Sequence, residues 1–519
     1  MGRDFAAARA GQERIIAWLL EQAPDAQRID THASTVVLLG ERAYKLKRAL
    51  DVGWMDFSTL DKRAAVCRNE LALNRRTAPD LYLEVVPVTA EGAGFALGGA
   101  GETVEWLLVM RRFDQGERFD RLLAAGQLTP ALVQRLADRV AAFHAAAEVS
   151  ASGGGHALAA KVAAENARDL APPALLVPPA LAAELARRGA DAVERLAPLL
   201  EARRAQGFVR RCHGDLHLAN IVRWQGEPTL YDCIEFNEAF VTIDLLYDLA
   251  FLLMDLDRHG RRDLANLVLN RWLVEAAQLP GLAALPLFLS LRAGVRAKVA
   301  ALGAHEVPAG QRGTLEREAG DYAARALDYL APPPPRLVAV GGLSGSGKST
   351  LARALAPALG AAPGALLVRS DVIRKRLFGV APETRLPDGA YTPEWHQKVA
   401  QAMLDQAAAA LAAGQAVILD AVHSLPASRA AAEALARRAG VVFDGFWLDA
   451  PAAALEARIA ARRDDASDAT VEVVRRQLAG GPLTDHGWRA LDAAGDADAV
   501  LAQARAVLEL TVPPPPGGA

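Results

Sequence analysis

Residues 213–220 read HGDLHLAN, which sets Asp215 five positions ahead of Asn220. A loop aspartate can take the proton of a hydroxyl as that hydroxyl attacks. An asparagine on the far side of the same loop can hold a metal ion that bridges phosphates. Further on, TLYDCIEF puts Asp232 at the end of an apolar strand, where a second metal-binding carboxylate belongs. Together these residues predict transfer of a phosphoryl group to a hydroxyl. His213 and His217 could instead be two zinc ligands on one helix face, but Gly214 disfavours a helix and no third ligand is evident.

A second stretch, GLSGSGKS at 342–349, satisfies G-x-x-x-x-G-K-[ST]. It follows the apolar run LVAVG and opens STLARALAPAL, the strand–loop–helix setting such a loop requires. Backbone N–H groups along Gly342, Ser344, Gly345, Ser346, Gly347 and Thr350 can cradle phosphate. Lys348 reaches the β- and γ-phosphates, and the Ser349 hydroxyl binds magnesium. VILD ends at Asp420, a candidate carboxylate behind that ion. LLVRSD ends at Asp371, which at the carboxyl end of a neighbouring strand would face the nucleotide crevice and accept a proton from an acceptor hydroxyl. An aspartate opening a helix is also a common N-cap. In EARIAARRDDASDA, Arg458 and Arg462 lie four apart on one helix face. They could swing onto the transferring phosphoryl group or belong to a salt-bridged surface helix.

These side chains need elements to hold them. STVVLLG and AYKLKRA flank Gly40-Glu41-Arg42, a spacing that predicts a hairpin. Ala43, Lys45 and Lys47 share one strand face, so the phosphate lysine is Lys45 or Lys47. Ser58 and Asp61 are spaced as a capping box, predicting a helix from near Ser58. Glu70, in the middle of that helix, is the natural charge partner for the lysine. LYLEVVPV and TVEWLLVMRRF predict further strands, and beyond residue 117 the pattern is helical. A small β-rich lobe followed by a larger helical lobe is α+β.

After APPPPR at 331–336, whose prolines cannot continue a helix, LVAVGG, ALLVRS, AVILDA and VVFDGFWLDA alternate with helical stretches. That is the pattern of an α/β domain with a parallel sheet covered by helices on both faces. The expected division is 1–330, a proline linker at 331–335, 336–512, and a tail at 513–519. SASGGG (150–155) and APPALLVPPA (171–180) read as loops, and no internal repeat relates the two halves.

Composition narrows the class. A chain of 519 residues exceeds one core. No run approaches the ~18 apolar residues of a membrane span. The N-terminal MGRDFAAARAGQERIIAWLL reads as an amphipathic helix and not a signal segment. Three cysteines without a C-x-x-C pair fit a reducing cytoplasm. A net charge of −3 supplies no basic field for nucleic acid or anionic membrane. The expectation is a cytoplasmic protein with no membrane partner and no nucleic-acid-coating role; a single phosphate site stays open.

Residues 1–330 resemble the aminoglycoside phosphotransferase and choline kinase-like family, whose HGD-x-H-x-x-N followed by an Asp-bearing strand is matched at 213–220 and Asp232. The resemblance implies a bilobal protein-kinase-like fold and ATP-dependent phosphorylation of a small-molecule hydroxyl. It makes Asp215 the base, has Asn220 and Asp232 hold Mg2+, and gives Asp244 and Asp248 structural roles. The first hairpin lacks the G-x-G-x-x-G of protein kinases and has only Gly40 in its turn. Residues 336–512 resemble small P-loop kinases related to gluconate kinase, chloramphenicol phosphotransferase and the zeta toxins. That likeness rests on GLSGSGKST, RSDVIRKRLFG, VILDA and the Arg458/Arg462 pair. The whole is similar to a bacterial fusion of an aminoglycoside phosphotransferase domain with an AAA-type ATPase-like domain. It implies a bifunctional phosphotransferase using ATP (or GTP) and Mg2+ at two separate sites. Competing readings are an antibiotic-modifying enzyme whose Glu235, Glu238 and Asp244 receive a polycation, a kinase regulated by a nucleotide-sensing domain, and a polynucleotide 5′-hydroxyl kinase in the second half.

Overall fold

The period-two apolar pattern of the first hundred residues folds as an antiparallel sheet. Its strands are β1 (Gln27–Asp30), β2 (Ser34–Leu39), β3 (Arg42–Lys47), β4 (Tyr82–Glu91), β5 (Gly94–Leu97) and β6 (Thr103–Arg111), in the order β1-β2-β3-β6-β4-β5. The structure is a computed structural model. It describes residues 5–53, 55–171, 177–273, 276–306, 309–461, 466–479 and 487–510. The chain forms two compact units, Met1–Leu158 with Glu201–Leu252, and Ala159–Leu200 with Leu253–Ala519.

In the first unit, alternation along β3 decides what the lysines face. Tyr44 and Leu46 pack with Val37, Val88 and Leu107 beneath Ile15, Ile16 and Leu19 of the helix Ala6–Leu20. Ala43 enters the opposite cluster with Leu81, Leu108 and Met110. Lys45 and Lys47 share the Ala43 side, toward the helix Leu60–Asn74. That helix is capped by Thr59, whose side chain accepts from Lys62 N at 3.3 Å. The expected Ser58–Asp61 box does not form, because Ser58 N–H donates to Asp56 Oδ1 at 3.0 Å and the chain is still turning there. Strand β1, QRID, has no apolar alternation to announce it and is exposed throughout. It exists by pairing Ile29 with Val36 of β2.

Four short strands frame the loop 212–220: β7 (Val209–Arg211), β8 (Ile221–Trp224), β9 (Glu227–Leu230) and β10 (Thr242–Asp244). The antiparallel β8–β9 hairpin returns the chain beside the loop and delivers Asp232 just past its end.

The second unit contains the parallel sheet of β11 (Arg336–Gly342), β12 (Leu366–Arg369), β13 (Val417–Asp420), β14 (Val442–Asp449) and β15 (Arg489–Asp492), in the order β12-β13-β11-β14-β15. The P-loop strand β11 is central, and Val338 and Val340 pack with Leu351, Leu355, Ile418 and Phe446. The edge strand β15 was not legible, since only Leu491 of its four residues is buried. Contrary to the expectation of no membrane-length run, Gln278–Ala304 is apolar and long enough to cross a bilayer, but 78% of its apolar window is buried within the protein. Of the expected loop at 171–180, residues 172–176 lie outside the described residues.

Candidate active sites

The first site is built on β3, the helix Leu60–Asn74, the loop 212–220 and the segment after β9. Lys45 Nζ lies 2.7 Å from Glu70 Oε1 and 2.6 Å from Asp232 Oδ1. Lys47 Nζ lies 2.5 Å from Glu70 Oε2 and 2.5 Å from Glu235 Oε1. Glu70 thus holds both lysines, one on each oxygen. The lysines differ in what they reach on the other side. Lys45 reaches Asp232, whereas Lys47, only 2% exposed, reaches the buried Glu235.

The loop itself is held from behind. Asp248 accepts backbone N–H bonds from Gly214 at 2.8 Å and His213 at 3.2 Å, and its carboxylate meets His144 Nε2 at 3.0 Å. Asp244 pairs with Arg203 through two 2.7 Å bonds and accepts from Leu246 N. Gly214 has φ +84°, and a Cβ there would sit 2.8 Å from the Phe240 carbonyl, so the loop can pass here only as glycine. His213 is no metal ligand in this arrangement, since its Nε2 meets the Tyr231 carbonyl at 3.0 Å. Asp215 and Asn220 are adjacent: Asn220 Nδ2 donates to Asp215 Oδ2 at 2.9 Å, and His217 Nε2 is 3.3 Å from the same carboxylate. Asp232 has φ +59° and its N–H donates to the Tyr82 hydroxyl at 3.0 Å.

Charge explains the balance of this cluster. Desolvation pushes the Asp232 carboxyl up, but the Lys45 ammonium outweighs it and holds it below the usual range. Burial pushes Glu235 above its usual range, against the pull of Lys47. Three carboxyl groups thus share the two ammonium groups. Asn220 donates from its amide nitrogen to Asp215, so its carbonyl oxygen and the Asp232 carboxylate are the kind of oxygen donors a hard divalent cation such as Mg2+ takes. Lys47 is a buttress, and removing it strands buried carboxylate. Lys47→Met is expected to destabilise the fold by about 3–5 kcal/mol, read by urea denaturation. A change under about 1 kcal/mol would place Lys47 outside the network.

The acids suggested as a polycation receptor are already engaged. Glu235 pairs with Lys47, Asp244 with Arg203, and Glu238 with Arg211 at 2.9 Å. The sequence could not show this, because each partner cation comes from a distant segment.

At the second site, Gly347 N-caps the helix Lys348–Leu355 with φ +93°, as phosphate-loop geometry requires. Gly345 has φ +85°, and a Cβ there would lie 2.6 Å from the Leu455 carbonyl, so the helix Ala452–Ala461 packs directly on the loop. Lys348 Nζ donates to Leu343 O at 2.8 Å. Ser349 Oγ donates to Asp420 Oδ2 at 2.5 Å, and Arg369 reaches both at 3.2 Å. Ser349 and Asp420 again form an oxygen pair that fits Mg2+. Gly342, Ser344, Ser346 and Thr350 complete the loop and the start of its helix, and Ser344 N–H donates to Gln477 Oε1 at 2.9 Å. Gln477 had no signal in the sequence, being far along the chain on the helix Val471–Ala479.

Asp371 sits in the first turn of the helix Ser370–Leu377, but the N-cap is Arg369, and no side chain caps that end. Burial pushes the Asp371 carboxyl up and the Asp420 charge adds to the shift, while Arg369 and Lys348 pull the other way. Asp371 therefore belongs to the same electrostatic cluster as Lys348 and Asp420. Nearby, buried Lys375 pairs with Asp468, which also accepts from Leu386 N at 3.0 Å and from the Tyr391 hydroxyl, tying 384–391 to the Asp468 segment. Arg458 Nη2 donates to the carbonyls of Gly495 at 2.9 Å and Ala494 at 3.4 Å, so here it is bound to the turn after β15. Arg462 lies outside the described residues.

The raised carboxyl gives a signed prediction. A folded-state pKa above the unfolded one means that ionisation of Asp371 opposes folding, so this cost grows as pH rises through the folded value. Asp371→Asn removes it. The variant should keep or raise Tm at pH 7 while losing transfer at this site, read by thermal denaturation at pH 5 and pH 7. A lower Tm at both values would instead make Asp371 a structural residue.

The two constellations define the chain as a kinase-type phosphotransferase with two nucleotide-site architectures. It belongs to the phosphotransferase enzyme family, whose family model matches residues 25–287, and an AAA domain model matches 337–481. An uncharacterized protein of Mycobacterium tuberculosis is 30% identical over 491 residues, covering 92% of this chain and 94% of that one. Among solved structures, a choline/ethanolamine kinase family protein from Mesorhizobium loti is 12% identical over 62% of this chain and 99% of its own, with TM-score 0.35. A gluconokinase from Sinorhizobium meliloti is 21% identical over 34% of this chain and 92% of its own, with TM-score 0.23.

Proposed function

We propose that the chain is a bifunctional ATP-dependent phosphotransferase that phosphorylates small-molecule hydroxyls at two separate sites, one in 1–330 and one in 336–512. The observation that carries the reading is the bridge of Lys45 between Glu70 and Asp232, at 2.7 and 2.6 Å. It joins strand, helix and metal-binding segment as phosphate positioning requires. In this reading Lys45 holds the α- and β-phosphates and Glu70 aims it. Asp215 orients the acceptor hydroxyl and takes its proton. Asn220 and Asp232 would hold Mg2+, which neutralises phosphate charge when bound. In the second half the P-loop and Lys348 hold the nucleotide, Ser349 and Asp420 would hold the ion, and Asp371 accepts the acceptor's proton. Its raised pKa suits a base working nearer neutrality than an ordinary aspartate. Arg458 and Arg462 would reach the phosphoryl group only after Arg458 leaves its present carbonyls. The protein is read as soluble and cytoplasmic.

The partnered state of Glu235, Glu238 and Asp244 weighs against a polycationic antibiotic as acceptor. The test is an ADP-release screen of wild-type protein against sugars, polyols, aminoglycosides, nucleosides and oligonucleotides, repeated with Asp215→Asn and Asp371→Asn. Distinct acceptor-dependent rates, each lost in one variant, are expected. Acceptor-dependent release that neither variant changes would refute the assignment.

A further inference from the structure

We propose that His423 reads the terminal phosphoryl group of a nucleoside triphosphate at the P-loop, donating a hydrogen bond from Nε2 to one of its oxygens. The inference rests on the reading of the P-loop as a nucleotide site and adds a residue that no motif contains. His423 stands three positions beyond Asp420, in the segment that leaves β13 at the carboxyl edge of the sheet. That segment is stitched to the P-loop strand, since Gly342 N–H donates to Val422 O at 3.1 Å.

Three features of His423 go together. Its backbone is left-handed, with φ +51°, a conformation that a side chain of this size adopts only at a cost and when its surroundings insist. They do insist. The buried Arg429 donates from Nη1 to the His423 carbonyl at 2.9 Å and to the Ser424 carbonyl at 3.0 Å. The ring is fixed as well, with Nδ1 2.9 Å from Ser428 Oγ and the indole of Trp488 edge-on at 5.1 Å.

The third feature is an omission. The residue is 7% exposed, yet Nε2 is buried without a hydrogen-bond partner among the described residues. Burial pushes the imidazole pKa down to about 4, so the ring is neutral. In the proposal the Ser428 hydroxyl donates to Nδ1, which puts the ring proton on Nε2 and makes the unpartnered nitrogen a donor. A histidine serving only the core would have both nitrogens satisfied. The charged groups around this ring are Asp420, Lys348 and Arg429. Asp420 would hold the ion that accompanies the nucleotide, and Lys348 would reach the β- and γ-phosphates. A strained, clamped donor in that field suits a γ-phosphate oxygen.

The test uses the full chain titrated with fluorescent mant-ADP and mant-AMPPNP in the presence of Mg2+. The C-terminal component is the part of the signal lost in Lys348→Ala. His423→Asn tolerates a positive φ but lacks the reach of Nε2, and Ser428→Ala frees the ring. A hydrogen bond to a charged group is worth about 1.5–3 kcal/mol, so His423→Asn should weaken mant-AMPPNP at that component by about 10–100-fold. It should leave mant-ADP within about twofold, with Ser428→Ala shifting affinity the same way by less. Equal loss for both nucleotides, or no loss for either, overturns the role of His423 while the P-loop reading stands. A signal that Lys348→Ala does not diminish overturns the P-loop reading itself.

Discussion

Asp215→Asn is expected to lower phosphoryl transfer at the first site by about 10²–10⁴-fold, the range for loss of a general base, with fold and nucleotide affinity retained. The carboxylate is adjacent to Asn220 and His217 and makes none of the ion pairs that join Lys45 to Glu70 and Asp232, although its charge acts on Asp232. Asparagine keeps the shape and an oxygen to accept from Asn220, and loses only the basicity. The measurement is acceptor-dependent ADP release by the variant, with the second site silenced by Lys348→Ala. Transfer within about threefold of the parent would remove Asp215 from the chemistry.

The second large effect is expected from Lys348→Ala. Its ammonium would contact both the β- and γ-phosphates. Two charge-assisted hydrogen bonds at about 1.5–3 kcal/mol each correspond to roughly 10²-fold or more in affinity. The groups of the first site all belong to the other compact unit, so nucleotide binding there should be unchanged. Isothermal titration of the variant should show one class of site lost and one intact. Undiminished binding at both would mean that the loop does not grip phosphate.

Much of this was legible in the sequence where local rules decide. The hairpin around Gly40, the parallel strands that lead to Asp371 and end at Asp420, and the strand–loop–helix of 336–355 all follow from apolar period and turn residues. What was not legible depends on distant partners. Lys45 and Lys47 are equivalent on the strand, and only the fold separates them, by bringing Asp232 to one and Glu235 to the other. The helix before Glu70 starts at Thr59 because Asp56 captures Ser58 N–H first. Strands β1 and β15 exist by edge pairing and not by pattern. Gln477 and His423 belong to the phosphate loop only through tertiary approach, so neither could be found by spacing.

The same logic explains why Asp371, taken alone, reads as a cap and only beside the P-loop as a proton acceptor. Its position in the first helical turn is compatible with either role, and the distinction lies in the buried charge of Asp420 beside it. A residue recruited for capping gains a backbone donor. Asp371 is instead buried where the Asp420 charge raises its pKa against the pull of Arg369, a Ser467 hydrogen bond and Lys348, an arrangement that costs stability.

The central claim is that one chain carries two independent nucleotide sites. The most direct measurement is the stoichiometry with which the full-length protein binds a non-hydrolysable Mg-ATP analogue in isothermal titration. The account predicts two equivalents per chain, falling to one in Lys348→Ala. A single equivalent in the wild-type protein, whichever variant then removes it, would contradict it.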